Sequence, residues 1–335
     1  MKAIGLFLAG MLLWAAPPAL ADTAAGTVIV KVDLSARADG QKVRLWLPYP
    51  VSDADQQITD VRYQGDYDEA GVYTDRIFGN PMLYARWSPD AENRVLTFSF
   101  RVTREEVRVK DLSQPETAWD PRNFAADLGP TRLGPTGGAV GKLAATVTAG
   151  RTTVLGKARA IYDWIIENMY RDPETRGCGK GDVCTLLARP GGKCADISSV
   201  FVALARAARV PAREVFGLRL GRKAVVDITG WQHCWAEFYL PGTGWVPVDP
   251  ADVRKMMLAQ KLDLEDARTR EYRRYFWGGI DPYRVKLAEG RDLVLGPPQQ
   301  GQPLNYLMYP YAEVGGKPVD WLEPANFEYT TTYRR

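Results

Sequence analysis

An α+β fold is predicted by three features of the chain. Period-two β patterning runs from Thr27 to about Val109, two amphipathic helical segments follow, and four strand-like runs come after the second of them. Helices followed by consecutive strands, without β-α alternation, belong to the segregated α+β class.

The first element lies outside that fold. Lys2 supplies a positive start, Ile4–Trp14 is apolar, and Ala19-Leu20-Ala21 is an A-x-A cleavage pattern. This predicts a secretory signal peptide over residues 1–21, cut after Ala21. The apolar stretch falls short of the roughly 20 residues that a membrane span needs. No cysteine follows it to carry a lipid. The expectation is an exported chain, periplasmic or secreted, with no stable membrane insertion.

Residues 22–112 read as a β-rich domain. Val28, Val30 and Val32 alternate with polar or small residues, as do Val43–Leu47 and Val95–Phe100, and Gly, Asp and Asn punctuate the gaps. The pattern predicts a small antiparallel sandwich. The charged run Arg101–Lys110 reads as a solvated strand face.

Residues 113–152 read as a linker packed on the surface. They are rich in Pro, Gly, Ala and Thr, and Leu128-Gly129-Pro130 and Leu133-Gly134-Pro135 are turn signals. A core is expected over residues 153–255. Leu155, Ala158, Ile161, Tyr162, Ile165 and Met169 fall near helical spacing, which predicts a helix over Val154–Met169, stopped by Pro173. Ile197, Val200, Phe201, Leu204 and Ala208 mark one buried face of a second helix that opens at Cys194 or Ala195 and closes before Pro211. Strands are expected at Glu214–Leu220, Val225–Thr229, Trp231–Leu240 and Trp245–Asp249, the last two joined by Pro241-Gly242-Thr243-Gly244. Residues 256–335 read as a helix over Met256–Phe276 and then a β-rich C-terminal region. Arg268–Arg274 is read as a solvated helix face.

Composition narrows the function. The chain carries 43 basic and 40 acidic residues, net +3. That balance argues against nucleic acid or an acidic membrane surface as partner. Tryptophan and tyrosine are abundant, which suits either an aromatic core or a cleft for sugar or peptide.

His233 is the only histidine, so imidazole chemistry has one candidate base. Its strand is otherwise apolar, and a polar ring there needs partners. Cys194 follows Gly191-Gly192-Lys193 at a helix start, where about half a positive charge and several unpaired N–H groups favour a thiolate and could hold an oxyanion. Asp249 shares a face with His233 if the intervening turn closes with an odd number of residues. Asp252 is the fallback if it does not. Glu237 shares the face too, but four residues along a strand is roughly 13 Å. Cys194, His233 and Asp249 thus form the candidate nucleophile, base and orienting acid. The Cys194 N–H is the first oxyanion donor, and Trp164 or Tyr170 the candidate second.

The other cysteines admit alternatives. Cys178 and Cys184 flank Gly179-Lys180-Gly181-Asp182-Val183 and could close that loop as a disulfide. A Cys194–Cys234 bridge is disfavoured, because strand alternation should turn Cys234 away from the face of His233. A zinc site from Cys178, Cys184, Cys194 and His233 lacks any C-x₂₋₄-C or H-x₃₋₅-H unit. No metal and no cofactor is expected. Redox exchange lacks a C-x-x-C motif.

Gly-Gly-Lys-Cys-Ala-Asp opening a helix, Leu-Ala-Arg-Ala-Ala-Arg-Val-Pro-Ala-Arg closing it, then Trp-Gln-His-Cys-Trp-Ala-Glu-Phe-Tyr and Gly-Trp-Val-Pro-Val-Asp-Pro, resembles the transglutaminase-like superfamily over roughly Val154–Asp252. More narrowly it is similar to exported bacterial members, including the cysteine-protease-like group. The resemblance implies a papain/transglutaminase-like core, a Cys-bearing helix packed on an antiparallel sheet that carries the His and Asp. It assigns Cys194, His233 and Asp249 the same three roles. Ala195 departs from the Trp that animal transglutaminases have after the cysteine, and no acidic cluster of the calcium-site kind is present. The implied function is a thiol-dependent amide hydrolase (protease or amidase) or an acyltransferase, working through a thioester on peptide, protein or cell-wall amides. The alternative is a catalytically silent scaffold that binds protein or cell-wall partners in the envelope.

Overall fold

The computed structural model describes residues 22–335 except 38, 39, 110 and 323–326. The expected signal segment lies outside the described residues. Two five-stranded antiparallel sheets and one four-stranded sheet carry the architecture.

The first sheet is centred on Thr23–Asp33, which pairs on one side with Val95–Glu105 and on the other with Tyr329–Arg334. Gln56–Gly65 and Val225–Asp227 form its two edges. The second sheet runs in the order Lys317–Pro318, Tyr311–Val314, Val43–Pro48, Pro81–Trp87 and Glu69–Thr74. Alternation puts Val28 and Val32 of one sheet and Leu45 and Leu47 of the other into a shared core. The sandwich expected at the N-terminus is present, but it is not built from the N-terminus alone. The C-terminal strands supply an inner strand to the first sheet and two strands to the second.

This closure has a measurable consequence. Phe327, Tyr329 and Tyr333 are buried, and full burial of such side chains contributes roughly 1.5–3 kcal/mol each. Deleting residues 327–335 is expected to cost about 5 kcal/mol, a large part of a domain's margin. Thermal unfolding followed by circular dichroism checks this; a melting point within a few degrees of the full chain would contradict it.

The third sheet runs in the order Gly244–Val248, Gln232–Leu240, Ala212–Arg219 and Arg284–Glu289. The helix Cys194–Ala207 lies against it. Every residue of this helix from Cys194 to Arg206 is buried, as befits a helix enclosed on all sides. The helices Gly138–Val147, Val154–Asn168 and Pro250–Gln260 enclose it further.

Two helical expectations change. The stretch read as linker carries the ten-residue helix Gly138–Val147, whose Val140 and Ala144 are buried. The single helix expected over Met256–Phe276 is two helices, Pro250–Gln260 and Ala267–Tyr275. Lys261 adopts φ 54° and caps the first of them in the left-handed region. No helix among the described residues is long and apolar enough to cross a membrane.

Candidate active site

The hairpin that carries His233 sets the site. Leu240 pairs with Gly244 and Ala236 with Val248, so the turn closes over Pro241, Gly242 and Thr243. An odd closure places Asp249, just past the last pair, across from Trp235 and diagonal to His233. His233 Nε2 lies 2.7 Å from Asp249 Oδ2. With Nε2 turned to the carboxylate, Nδ1 is the nitrogen left to serve a thiol. Asp249 also caps the following helix, its Oδ1 accepting from the Asp252 N–H at 2.8 Å. Each oxygen thus meets a partner, and the carboxylate is held fixed.

Cys194 is the first residue of its helix and is 2% exposed. Asp196 shapes this start. Its two oxygens accept from the N–H groups of Lys193 at 3.1 Å and Gly181 at 2.8 Å. The Cys194 thiol is held well below its ordinary pKa. Hydrogen bonds from the Cys178 and Cys234 thiols favour the thiolate, burial opposes it, and the His233 imidazole favours it again through a hydrogen bond and its charge. The contact with Cys194 and then burial push the Cys178 thiol up, and burial and then the same contact push the Cys234 thiol up. One thiolate among three thiols is the arrangement that these opposite shifts describe.

The structure corrects the pairing of Cys178 with Cys184. All four cysteines are free. Cys184 is exposed in the first turn of the helix Val183–Ala188, whereas Cys178 is buried, with its Sγ 3.4 Å from the Gln232 carbonyl oxygen. Gly179 and Gly181 adopt φ of 91° and 70° and turn the loop so that Cys178 faces the helix Cys194–Ala207. Strand alternation does turn Cys234 from His233, but toward the helix, and its thiol meets Cys194 from there.

The C-terminal region pins this loop. Tyr306 donates to the Gly179 carbonyl at 2.6 Å, and Arg291 and Asn305 donate to the Lys180 carbonyl at 3.0 and 2.8 Å. Arg291 is in turn fixed by Glu214 at 2.7 Å. A Cβ on Gly179 would fall 1.9 Å from the Asp196 carboxylate, and its φ is strained for any other residue. Gly179→Ala is expected to cost about 1–3 kcal/mol and to slow Cys194 labelling. Denaturant unfolding together with thiol labelling checks both; unchanged values would contradict the account of the loop.

Beneath the His–Asp pair lies a group that the sequence did not flag. Arg284 is fully buried. It donates to Asp249 Oδ2, to Asp252 Oδ2 at 2.9 Å and to Asp281 Oδ2 at 2.9 Å. Its Nη1 lies 3.0 Å from His233 Nε2. Arg219, its neighbour across the sheet, donates to Asp252 Oδ1 at 2.5 Å. Burial raises the Asp252 pKa, but the positive charges of Arg219, His233 and Arg284 outweigh it and hold the carboxyl far below its usual range. Asp252 Oδ1 is 3.9 Å from His233 Nε2, so the fallback acid belongs to the same cluster. His233, Asp249 and Asp252 have donor atoms within 4.8 Å of one another, as a divalent ion would need. The Arg284 guanidinium already brings positive charge to both carboxylates, so this donor set fits a buried cation of the protein's own.

The candidate oxyanion donors fare differently. Trp164 is half-buried and packs against the core from the helix Val154–Asn168. Tyr170 is 48% exposed, and its ring lies over Gly191, where a Cβ would come within 2.4 Å of it. Neither side chain hydrogen-bonds Cys194 among the described residues. The Ala195 N–H is taken by the Cys178 carbonyl at 3.0 Å.

A cleft of about 950 Å³ borders the Asp252 cluster. Arg219, Asp252, Phe276 and Asp281 form its inner wall, and Trp231, two residues before His233, lines its mouth.

Comparison with known proteins gives relatives of the chain and of its fold. A family model described as the transglutaminase-like superfamily matches residues 141–250. An uncharacterised protein of Haemophilus influenzae is 37% identical over 313 residues, covering 86% of this chain and 85% of its own. A crystal structure of a proposed cysteine protease from Cytophaga hutchinsonii superposes with TM-score 0.57 at 15% identity, covering 93% of this chain and 98% of that one. The periplasmic domain of TgpA from Pseudomonas aeruginosa is matched at 16% identity and TM-score 0.37, over 74% of this chain and 91% of that one.

Proposed function

Because this chain belongs to the transglutaminase-like superfamily, we propose that it is an exported thiol-dependent amide hydrolase or acyltransferase acting on peptide, protein or cell-wall amides. The observation that carries the reading is the Cys194 thiol, held low in pKa at a helix start beside the His233–Asp249 pair.

In the proposed reaction Cys194 Sγ attacks the amide carbonyl and forms the C–S bond. The carbonyl oxygen takes the developing negative charge at the helix start, where backbone N–H groups and the helix dipole favour it. The C–N bond then breaks, and His233 Nδ1 gives its proton to the departing amine or ammonia. Asp249 holds the ring through Nε2 in both steps. Water, deprotonated by Nδ1, resolves the thioester to an acid and frees Cys194. An amine in place of water gives a new amide. Hydrolysis is the outcome we favour, with peptide or cell-wall amides as substrates. An exported site, periplasmic or secreted, follows from the leader read over residues 1–21.

The test is a screen of peptide and cell-wall amide pools, with intact-mass detection of an acyl adduct on Cys194 and assay of released amine. The expected result is an adduct that is lost in Cys194→Ala. Turnover retained by Cys194→Ala would overturn the mechanism. The deep burial of Cys194 favours a second reading, a silent scaffold that binds envelope partners. Under that reading Cys194 stays unlabelled by thiol reagents in the folded chain.

A further inference from the structure

The cleft beside the Asp252 cluster has a charge pattern that the whole chain does not share. Overall the chain is close to balanced, 43 basic residues against 40 acidic. The cleft walls hold Arg108, Arg219, Arg222, Lys223, Arg268 and Arg274 against Asp252, Glu271 and Asp281. Two of those acids are already committed, since Arg284 pairs with both Asp252 and Asp281. Glu271 is matched by Arg268 at 3.9 Å. Arg222, Lys223 and Arg274 have no carboxylate partner among the described residues, and all three are exposed. Cations gathered in a concave, low-dielectric wall focus their field on whatever enters it.

The cations are also held in place. Arg222 stacks on Tyr283 at 4.2 Å and Arg108 on Tyr275 at 4.1 Å from ring centre. Stacking fixes the guanidinium plane and leaves the edge of Arg222 to meet a carboxylate with two parallel hydrogen bonds, whereas Arg108 already donates from Nε to Glu106 at 3.2 Å. Trp231 is 40% exposed and offers an apolar face at the mouth.

One wall points to a polypeptide in particular. Val226 lines the cleft and belongs to Val225–Asp227, an edge of the first sheet that among the described residues pairs only with Tyr329–Arg334. Its outer edge offers backbone N–H and C=O groups to a further strand. An extended peptide can add there, with side chains reaching the cleft. A sulfated or phosphorylated polymer can meet the cations but cannot complete the ladder.

We propose that this cleft binds an extended acidic peptide segment, rich in Asp or Glu, as the recognition flank of the substrate. The inference deepens the proposed function and rests on that reading only in calling the bound segment substrate. Binding itself needs no catalysis. The Arg219–Asp252 pair joins the cleft floor to His233, so a segment bound there sits one ion pair from the site.

The experiment uses the full mature chain carrying Cys194→Ala. Fluorescence anisotropy is measured with a labelled, extended Glu-rich peptide, with its Gln counterpart, and with a sulfated polysaccharide as competitor. The Glu peptide is expected to bind at least tenfold more tightly than the Gln peptide, and to weaken with added salt. The double variant Arg222→Glu/Lys223→Glu is expected to lower affinity at least tenfold, with an unchanged melting temperature. Equal binding of the two peptides, no effect of the double variant, or displacement by the polysaccharide at lower concentration than by unlabelled Glu peptide would each overturn the proposal. Thiol reactivity of Cys194 in the wild-type chain is scored separately. Reactive Cys194 without peptide binding removes this inference alone, and peptide binding with inert Cys194 removes the catalytic reading alone.

Discussion

Arg284→Met is expected to destabilise the chain by about 3–5 kcal/mol at neutral pH, the range for stripping one partner from a buried ion cluster. The side chain is fully buried and joins Asp249, Asp252 and Asp281. Methionine fills similar volume, so the loss reports charge rather than a cavity. Without the guanidinium, Asp252 keeps Arg219, but Asp249 keeps only His233 and its own helix cap. The pH dependence fixes the sign. In the wild-type chain Asp252 and Asp281 have depressed pKa values. Their contribution is present above the ordinary carboxylate range, near 4, and fades as pH falls through the depressed values. In the variant the unpaired carboxylates shift upward and take protons on folding, so its deficit shrinks on acidification. Urea unfolding at pH 7 and pH 5 measures both. A deficit under about 1 kcal/mol, or one that grows with acid, would contradict the cluster described here.

His233→Gln is expected to leave the fold intact and to lower turnover on any substrate found by about 10²–10⁴-fold. Glutamine can still donate toward Asp249, and Arg284 remains to hold that carboxylate, so stability should change little. What is lost is the one group that can take a proton from Cys194 and return it to the leaving amine. Parallel melting curves and kinetics separate the two effects. Turnover within tenfold of wild type would mean that His233 is not the base.

The parts of the site that could be read from sequence are those governed by short-range rules. Cys194 at a helix start follows from the apolar spacing of Ile197, Val200, Phe201 and Leu204. The relation of His233 to Asp249 follows from strand alternation and one hairpin turn. Arg284 obeys no such rule. It reaches the site because its strand pairs with Ala212–Arg219 across a long stretch of chain, and that choice of partner leaves no local mark. The strand Tyr329–Arg334 was hidden for the same reason: its β pattern was visible but its place beside Thr23–Asp33 was not. The helix Gly138–Val147 is masked by Gly137, Gly138 and Gly141, residues of low helix propensity, and is kept by its packing on the helix Cys194–Ala207. The break at Lys261 was masked by the absence of Gly or Pro there. Cys178 and Cys184 are near in sequence, but two left-handed glycines turn the loop between them, leaving one buried and the other exposed.

The central claim is that Cys194 is a thiolate held by its neighbours and served by His233. The rate of Cys194 alkylation in the folded chain, followed against pH by peptide mass spectrometry, tests it most directly. The expected inflection lies well below that of a free thiol, near 8.5, and is moved upward by His233→Gln. An inflection at or above the free-thiol value, one untouched by His233→Gln, or a Cys194 that does not label at all would contradict it.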